Sequence, residues 1–430
     1  MAEKFEDLKY PVVVIIGGGF AGLELAKKLS RKPFKVYLLD RHNYHTFQPL
    51  LYQVATGGLG SDAIAYPLRK VIGPMPNVSF RMAEVQRMDT DNKKVITDVG
   101  DFAYDYLVLA TGTKTNYFGN SALQNLTMPL KTIPEALDIR SYFLQEFEKA
   151  LVEQSLSTQE AALNFVIVGA GPTGVELAGA MAEIRKNVMP NDYRELDPSR
   201  MHIHLIEAGN RVLATMSEKS SRDAQKFLED IGVEIMLNTM VTGYDGKELK
   251  LKDQESILAE TVIWSAGVMG NLPEGLPASF VQRGNRIKVD EFGQVPGLDG
   301  VFAIGDIAAM ISEKHPNGYP MLGSVAIQQG PWLGENLIRL ANNQPLRKFV
   351  YKDKGSMATV GRNRAVVDLP FIHLKGIIAW YIWMFVHLML LVSFRNRVIV
   401  FVNWAWNYLS YERAIRLIIR PYKKKDLNGE

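Results

Sequence analysis

The sequence predicts an α/β protein built on two Rossmann-like units. Gly17-Gly18-Gly19-Phe20-Ala21-Gly22 follows the apolar run Val12–Ile16, and Gly169-Ala170-Gly171-Pro172-Thr173-Gly174 follows Asn164–Val168. Each is a G-x-G-x-x-G turn between a buried-strand pattern and a helix pattern, the context in which that spacing binds a dinucleotide. Glycine removes the Cβ that would hold the backbone away from a pyrophosphate, and the helix start offers unpaired N–H groups and partial positive charge. Two such turns in one chain point to two dinucleotides, and so to electron traffic between a flavin and a nicotinamide. The 430-residue chain also contains no cysteine. That excludes disulfides, Fe–S clusters, thiolate zinc sites and redox-active thiol pairs.

The elements come in a regular order. Strand Val12–Ile16, helix Ala21–Ser30 and strand Lys35–Asp40 make the first unit, and Asp40 stands at the second strand's end, where an acid binds a ribose hydroxyl. His42–Gly60, rich in Tyr, Phe, Gln and Gly, reads as an ordered loop or short helix. Strands are predicted at Val78–Val85, Lys94–Thr97 and Tyr104–Ala110, the last ending in Thr111-Gly112-Thr113. Helical periodicity over Ile133–Glu153 marks a connector. The second unit is strand Asn164–Val168, helix Val175–Asn187 and strand His202–Glu207, stretched by an insert over Val188–Arg200. Glu207, at the second strand's end, accepts from ribose hydroxyls and repels a 2′-phosphate, which favours NADH over NADPH; nearby Arg211 works against that inference. Strands Val233–Leu237 and Thr261–Trp264 come next, the latter ending in Ser265-Ala266-Gly267. Gly300–Ile304 leads into Gly305-Asp306, whose carboxylate suits a flavin ribityl hydroxyl or, read alone, the N-cap of a helix over Ile307–Ile311. The predicted domains are 1–125 with 290–348, a connector at 126–160, a second dinucleotide domain at 161–289, and a C-terminal membrane-association region at 349–430.

Net charge is only +3, which gives no electrostatic case for nucleic acid. The basic residues gather at the end, where Arg395, Arg397, Arg413, Arg416, Arg420, Lys423, Lys424 and Lys425 meet few acids. A basic, aromatic tail points to an anionic membrane surface. Gly376–Ser393 is apolar and rich in tryptophan. At ~1.5 Å per residue it covers about 26 Å, short of a bilayer core of ~30 Å, so it is read as interfacial. Tyr411–Arg420 places Arg413, Arg416 and Arg420 on one helical face, the pattern of a helix lying on a bilayer, with a dimer surface as the rival reading. The N-terminus lacks a signal-peptide pattern, so the expected place is the cell membrane, peripheral on its cytoplasmic side. Glu176 sits in the first turn of the second cradle helix, where an acid gains from the helix dipole whatever its purpose.

These residues together resemble the type II (alternative, non-pumping) NADH:quinone oxidoreductases, flavoproteins with two dinucleotide-binding domains in the fold of glutathione reductase. The more specific part of the likeness lies in Asn43–Ala55, Ala110-Thr111-Gly112, Ala326-Ile327-Gln328-Gln329, Phe394-Arg395-Asn396-Arg397 and Asn403-Trp404-Ala405-Trp406. The resemblance implies FAD held by Gly17, Gly19, Phe20, Ala21, Gly22, Asp40, Pro49, Thr111, Gly112, Asp306 and Ala326. It implies NADH held by Gly169, Gly171, Pro172, Thr173, Gly174, Glu207, Ala266 and Gly267. It makes Glu176 and Gln328 the candidate catalytic residues and Gln48, Gln328 and Gln329 the candidate contacts of ubiquinone or menaquinone, with no metal. A homodimer on a lipid bilayer surface is expected. The family's Ala-Gln-x-Ala-x-Gln stretch departs here, since Ser324 stands at its first Gln. Pro331 falls inside the expected helix, which predicts a kink or a start near Gly330. A soluble NADH-dependent reductase of an electron-carrier protein, and a membrane-attached NADH redox sensor, are the alternatives.

Overall fold

The computed structural model describes residues 10–313, 315–410 and 416–424. The helices that position the two sites are α1 (Phe20–Leu29), α2 (Ile133–Val152), α3 (Pro172–Asn187), α4 (Glu218–Asp230), α5 (Gly323–Ala341), α6 (Gly376–Leu390) and α7 (Phe394–Ser410). The chain divides into two compact units. Unit 1 is Met1–His45, Tyr66–Lys114 and Val268–Asp353; unit 2 is Thr46–Ala65, Thr115–Gly267 and Lys354–Glu430.

Unit 1 carries a parallel sheet in the order Val301–Ala303, Tyr106–Leu109, Val12–Ile16, Lys35–Asp40, Val78–Met82. Its central strand has Val13, Val14 and Ile15 fully buried, as a parallel strand covered on both faces requires. α1 and α5 pack so closely that a Cβ on Gly330 would lie 2.6 Å from the Ala21 carbonyl oxygen. This contact overturns the expectation from Pro331. The helix starts at Gly323 and runs through Pro331 to Ala341, because the glycine-lined face against α1 supports it where the proline withdraws one N–H. No helix forms over Ile307–Ile311 either: Gly305–Ile307 is a single tight turn, and Ala308–Met310 pairs as a strand with Arg286–Val289. That pairing also draws Val268–Val289 into unit 1, a correction to the predicted 161–289 boundary.

Unit 2 repeats the plan, with a parallel sheet in the order Met128–Pro129, Thr261–Trp264, Asn164–Val168, His202–Ile206, Glu234–Met236. α2 opens on a capping box, Thr132 with Glu135, and buries Ile139, Phe143 and Phe147. A three-stranded antiparallel sheet (Ser356–Thr359, Ala365–Leu369, Ile372–Lys375) and the helices α6 and α7 complete this unit. Thr46–Ala65 belongs here too, a second correction to the predicted boundaries. Its carbonyls anchor α7: Asn396 donates to Ala65 O (2.9 Å) and Asn407 to Gly58 O (3.0 Å).

α6 and α7 each bury one narrow stripe at i, i+4, i+8 spacing, Ala379-Trp383-His387 and Asn396-Val400-Trp404. Their other faces stay apolar and exposed: Ile378, Tyr381 and Phe385 on α6, Phe401, Trp406 and Leu409 on α7. Among the described residues no helix is long and apolar enough to cross a membrane.

The tail departs from expectation. Of the amphipathic helix predicted over Tyr411–Arg420, residues 411–415 lie outside the described residues and 416–420 are not helical. Arg416 pairs with Asp192 (2.7 Å) and Arg420 with Asp138 (2.8 Å). Tyr422 exchanges two backbone hydrogen bonds with the Gln145 carboxamide, and Lys424 Nζ donates to Gly246 O (3.0 Å). Intramolecular acids and carbonyls hold cations that the local sequence pattern assigns to a lipid surface.

Candidate functional site

In unit 1 the first cradle is shaped by close backbone approach. A Cβ on Gly22 would fall 1.9 Å from Gly17 O, so the turn closes only with glycine there. Gly19, at the N-cap of α1, has open space beside it and no side-chain cap, which leaves the first N–H groups of the helix for a ligand. Asp40 accepts from Gly18 N–H (2.6 Å) and from His42 N–H (2.7 Å), which fixes its carboxylate at the turn. Around the cradle, Thr111 Oγ1, Thr113 Oγ1 and His45 Nε2 are buried without a hydrogen-bond partner among the described residues. Orphaned polar atoms at a glycine-lined helix start fit a phosphate-bearing cofactor. Burial holds the His45 ring neutral, with Nδ1 against Gly18 O at 3.0 Å. The Gly305-Asp306 turn is pinned from both sides, by Gln329 Oε1 accepting from Gly305 N–H (2.6 Å) and by Arg286 Nε donating to Asp306 O (3.1 Å).

In unit 2 the second cradle repeats this geometry. A Cβ on Gly174 would also fall 1.9 Å from its partner, Gly169 O, and Gly171 caps α3 with open space beside it. Pro172 begins α3 where an N–H has no intrahelical partner to lose, and Thr173 beside it is exposed. Glu207 accepts from Ala170 N–H and Gly209 N–H, both at 2.8 Å. Ser265 Oγ donates to the carbonyls of Val168 and Gly169, tying the turn to the strand end that leads into Ala266 and Gly267. Arg211 has both terminal nitrogens engaged, donating to Met216 O (3.0 Å) and Ala214 O (2.7 Å).

Two residues beyond Gly174, Glu176 is 7 % exposed. Thr359 N–H approaches its Oε1 at 3.4 Å, the Trp383 indole lies beside it, and burial pushes its carboxyl up to about 8. Trp383 stacks on His387 with ring centroids 4.1 Å apart and stands 5.7 Å from Trp404. His387 Nδ1 donates to Trp383 O (2.8 Å), and burial lowers its imidazole to about 4, so it is neutral. Trp404 Nε1 donates to Gln53 Oε1 (2.7 Å), and Gln53 Nε2 donates to Tyr52 Oη (2.9 Å). Sequence patterns do not single out Trp383, Trp404, Gln53 or Thr359 as site residues. The i, i+4 spacing of Trp383 with His387 is a signal for the first of them, and Gln53 and Trp404 lie in segments that carry the family resemblance.

Unit 1 therefore gathers Gly17, Gly19, Phe20, Ala21, Gly22, Asp40, Thr111, Gly112, Asp306, Ala326, Gln328 and Gln329, while unit 2 gathers Gln48, Pro49, Glu176 and the second cradle. The two adjacent glutamines of α5 make different contacts. Gln329 is buried and its carbonyl holds the Gly305 turn, so it supports the first cradle. The Gln328 carboxamide is engaged at both ends with Lys352, donating to Lys352 O (3.0 Å) and accepting from Lys352 N–H (3.1 Å). The Ser324 hydroxyl pairs with Tyr351 Oη at 2.9 Å. Gln48 is exposed and accepts from Lys131 Nζ at 3.4 Å.

A cysteine-free chain with two such cradles on two parallel sheets is an oxidoreductase of the two-dinucleotide class. Comparison with known proteins agrees. The family model for pyridine nucleotide-disulphide oxidoreductases matches residues 11–330, and the model for the NDH2 C-terminal domain matches residues 354–411. The type II NADH:quinone oxidoreductase Ndh of Mycobacterium tuberculosis is 35% identical over 417 residues, covering 94% of this chain and 89% of that protein. The mitochondrial internal alternative NAD(P)H-ubiquinone oxidoreductase A1 of Arabidopsis thaliana is 30% identical over 441 residues, covering 93% of this chain and 84% of that protein. In fold, the chain matches NDH2 from Plasmodium falciparum solved in complex with NADH, with a TM-score of 0.87 at 21% identity over 96% of this chain and 100% of that one. The chain belongs to the type II NADH:quinone oxidoreductases, within the pyridine nucleotide-disulphide oxidoreductase family.

Proposed function

We propose that Glu176 is the acid that holds and moves the proton while this flavoenzyme oxidises NADH and reduces a membrane quinone without pumping protons. The observation that carries this is a buried carboxyl on the fifth residue of the helix that starts at the second cradle, just past its first turn, with no charged group among the described residues acting on it. The chemistry that a bound FAD would supply at the first cradle is hydride acceptance from NADH and two-electron transfer to the quinone. The chain's own residues do the rest. The first cradle, with Asp40, Asp306, Thr111 and the Gln329-pinned turn, holds the flavin nucleotide. The second, with Glu207 at its ribose position, holds NADH, and the engagement of Arg211 with two carbonyls supports NADH over NADPH. The start of α5 at Leu322 has no side-chain cap and offers the positive end of its dipole to developing negative charge. Gln328 and Gln48 remain the proposed quinone contacts.

The exposed apolar faces of α6 and α7 support binding to a lipid surface in the plane of the interface. NADH is generated inside the cell, so the proposed seat is the cytoplasmic face of the cell membrane. A second copy of the chain is the proposed partner for apolar surface that the bilayer leaves uncovered. The test is a variant carrying Ile378→Asp, Phe385→Asp and Trp406→Asp. It should keep its FAD and its turnover of a water-soluble quinone, lose sedimentation with anionic vesicles, and lose long-chain quinone turnover. Unchanged sedimentation would reject the lipid-facing assignment.

A further inference from the structure

The acid on α3 is not sealed by its own dinucleotide domain. The backbone group that reaches Glu176 is Thr359 N–H, on the first strand of the C-terminal sheet, and the aromatic cover is Trp383, on α6. Trp383 is 1% exposed and belongs to the single inward stripe of that helix. Its indole N–H has no other hydrogen-bond partner among the described residues. The opposite face of the same helix presents Ile378 and Phe385, 62% and 64% exposed. One helix thus covers a carboxyl on one side and carries the proposed lipid-facing side chains on the other.

We propose that Trp383 is a positioning residue: its indole seals the Glu176 carboxyl from water, so that the membrane-facing helix α6 determines whether that acid keeps its proton at neutral pH. The inference rests on the proposed role of Glu176 as the proton-holding acid. The elements packed on this part of α3 bring no charge to it. His387 of α6 stacks on Trp383 and is neutral. The segment Leu51–Ala55 contributes the Tyr52 phenol, 6.5 Å from Trp383 between ring centroids. Further along α3, Glu183 accepts from the Arg362 N–H, and Arg185 donates to the carbonyls of Met201 and Ile231. No ionised side chain among the described residues acts on Glu176, so exclusion of water is what favours its neutral form. Removing the ring would admit water, and the carboxyl would return toward the ordinary range.

The test is an infrared pH titration of the carboxylic C=O stretch in the FAD-loaded protein, with Glu176→Gln identifying the band. Wild type should show a protonated carboxylic acid at pH 7 that Glu176→Gln removes. Trp383→Phe keeps an aromatic cover and removes the indole N–H that favours the ionised carboxylate, so its midpoint should stay at or above the wild-type value. Trp383→Leu and Trp383→Ala should move the midpoint down by at least about one unit, Ala more than Leu. If Trp383→Ala does not fold, the Leu and Phe pair carries the comparison. A wild-type band already absent at pH 7, or a Trp383→Leu midpoint equal to wild type with only thermal stability reduced, would overturn the proposal. Steady-state turnover of Glu176→Gln reports separately on the acid's role. Turnover equal to wild type would remove Glu176 from the mechanism even if the band shifts as stated.

Discussion

The two cradle helices begin with nearly the same words, Gly22-Leu23-Glu24-Leu25-Ala26 and Gly174-Val175-Glu176-Leu177-Ala178. The acids at the shared position have different fates. In α1, Glu24 keeps a 30% exposed side chain and pairs with Lys27 at 2.6 Å, one helical turn along. In α3, Glu176 is buried under Thr359 and Trp383 with no charged partner among the described residues. Residue type and helix position are equal, so the covering layer decides the chemistry. α5 packs on α1 and leaves Glu24 at the rim, whereas the C-terminal sheet and α6 close over Glu176. A surface pair of the first kind contributes little to stability.

The largest expected effects lie in the shared turns. Gly22→Ala and Gly174→Ala each set a Cβ 1.9 Å from a backbone oxygen. Gly22→Ala should yield protein that does not retain FAD, read from the absorbance of the purified protein. Gly174→Ala should keep FAD and raise the KM for NADH by roughly tenfold or more, the scale of a displaced backbone at a binding turn. Equal loss of FAD in both would break the assignment of one cradle to each nucleotide.

Next come the two acids. Glu176→Ala should lower NADH oxidation or quinone turnover several-fold with FAD retained, while Glu24→Ala should leave both steady-state parameters at wild-type values. A loss of the same size from Glu24→Ala would show that the position matters and the cover does not.

The smallest effect is one of stability against pH. Glu176 is raised from 4.5 to about 8 in the folded chain. Between those values the native protein holds a proton that the unfolded chain has released, so this group's contribution is fully present below about 4.5 and fades as pH rises through about 8. Thermal midpoints of wild type should therefore fall relative to Glu176→Gln across that window and the gap should close below it. Parallel curves for the two proteins would contradict the burial argument.

The range of each interaction decides how much of the molecule is readable in the sequence. The cradles are legible because glycine spacing, strand and terminal acid all lie within one local unit. Asp40 and Glu207 are found at their strand ends for the same reason. What stays hidden depends on distant partners. Pro331 breaks a local rule, and the glycine-lined contact with α1 overrides it. Arg416 and Arg420 look like lipid-binding cations until Asp192 and Asp138, far back in the chain, take them up. Gln329 has the residue type and neighbourhood of a quinone contact, yet it serves the Gly305 turn 24 residues away. The cover over Glu176 comes from 183 residues further along at Thr359, and no local pattern announces it.

The most direct measurement is an anaerobic titration of the purified yellow protein, first with NADH, then in parallel with NADPH, and last with menaquinone and ubiquinone analogues. NADH should bleach the flavin stoichiometrically, NADPH should do so far more slowly, and a quinone should restore the colour. A colourless protein that cannot be reconstituted with FAD, or a flavin that NADH bleaches but no quinone reoxidises, would contradict a path from NADH through the flavin to a quinone.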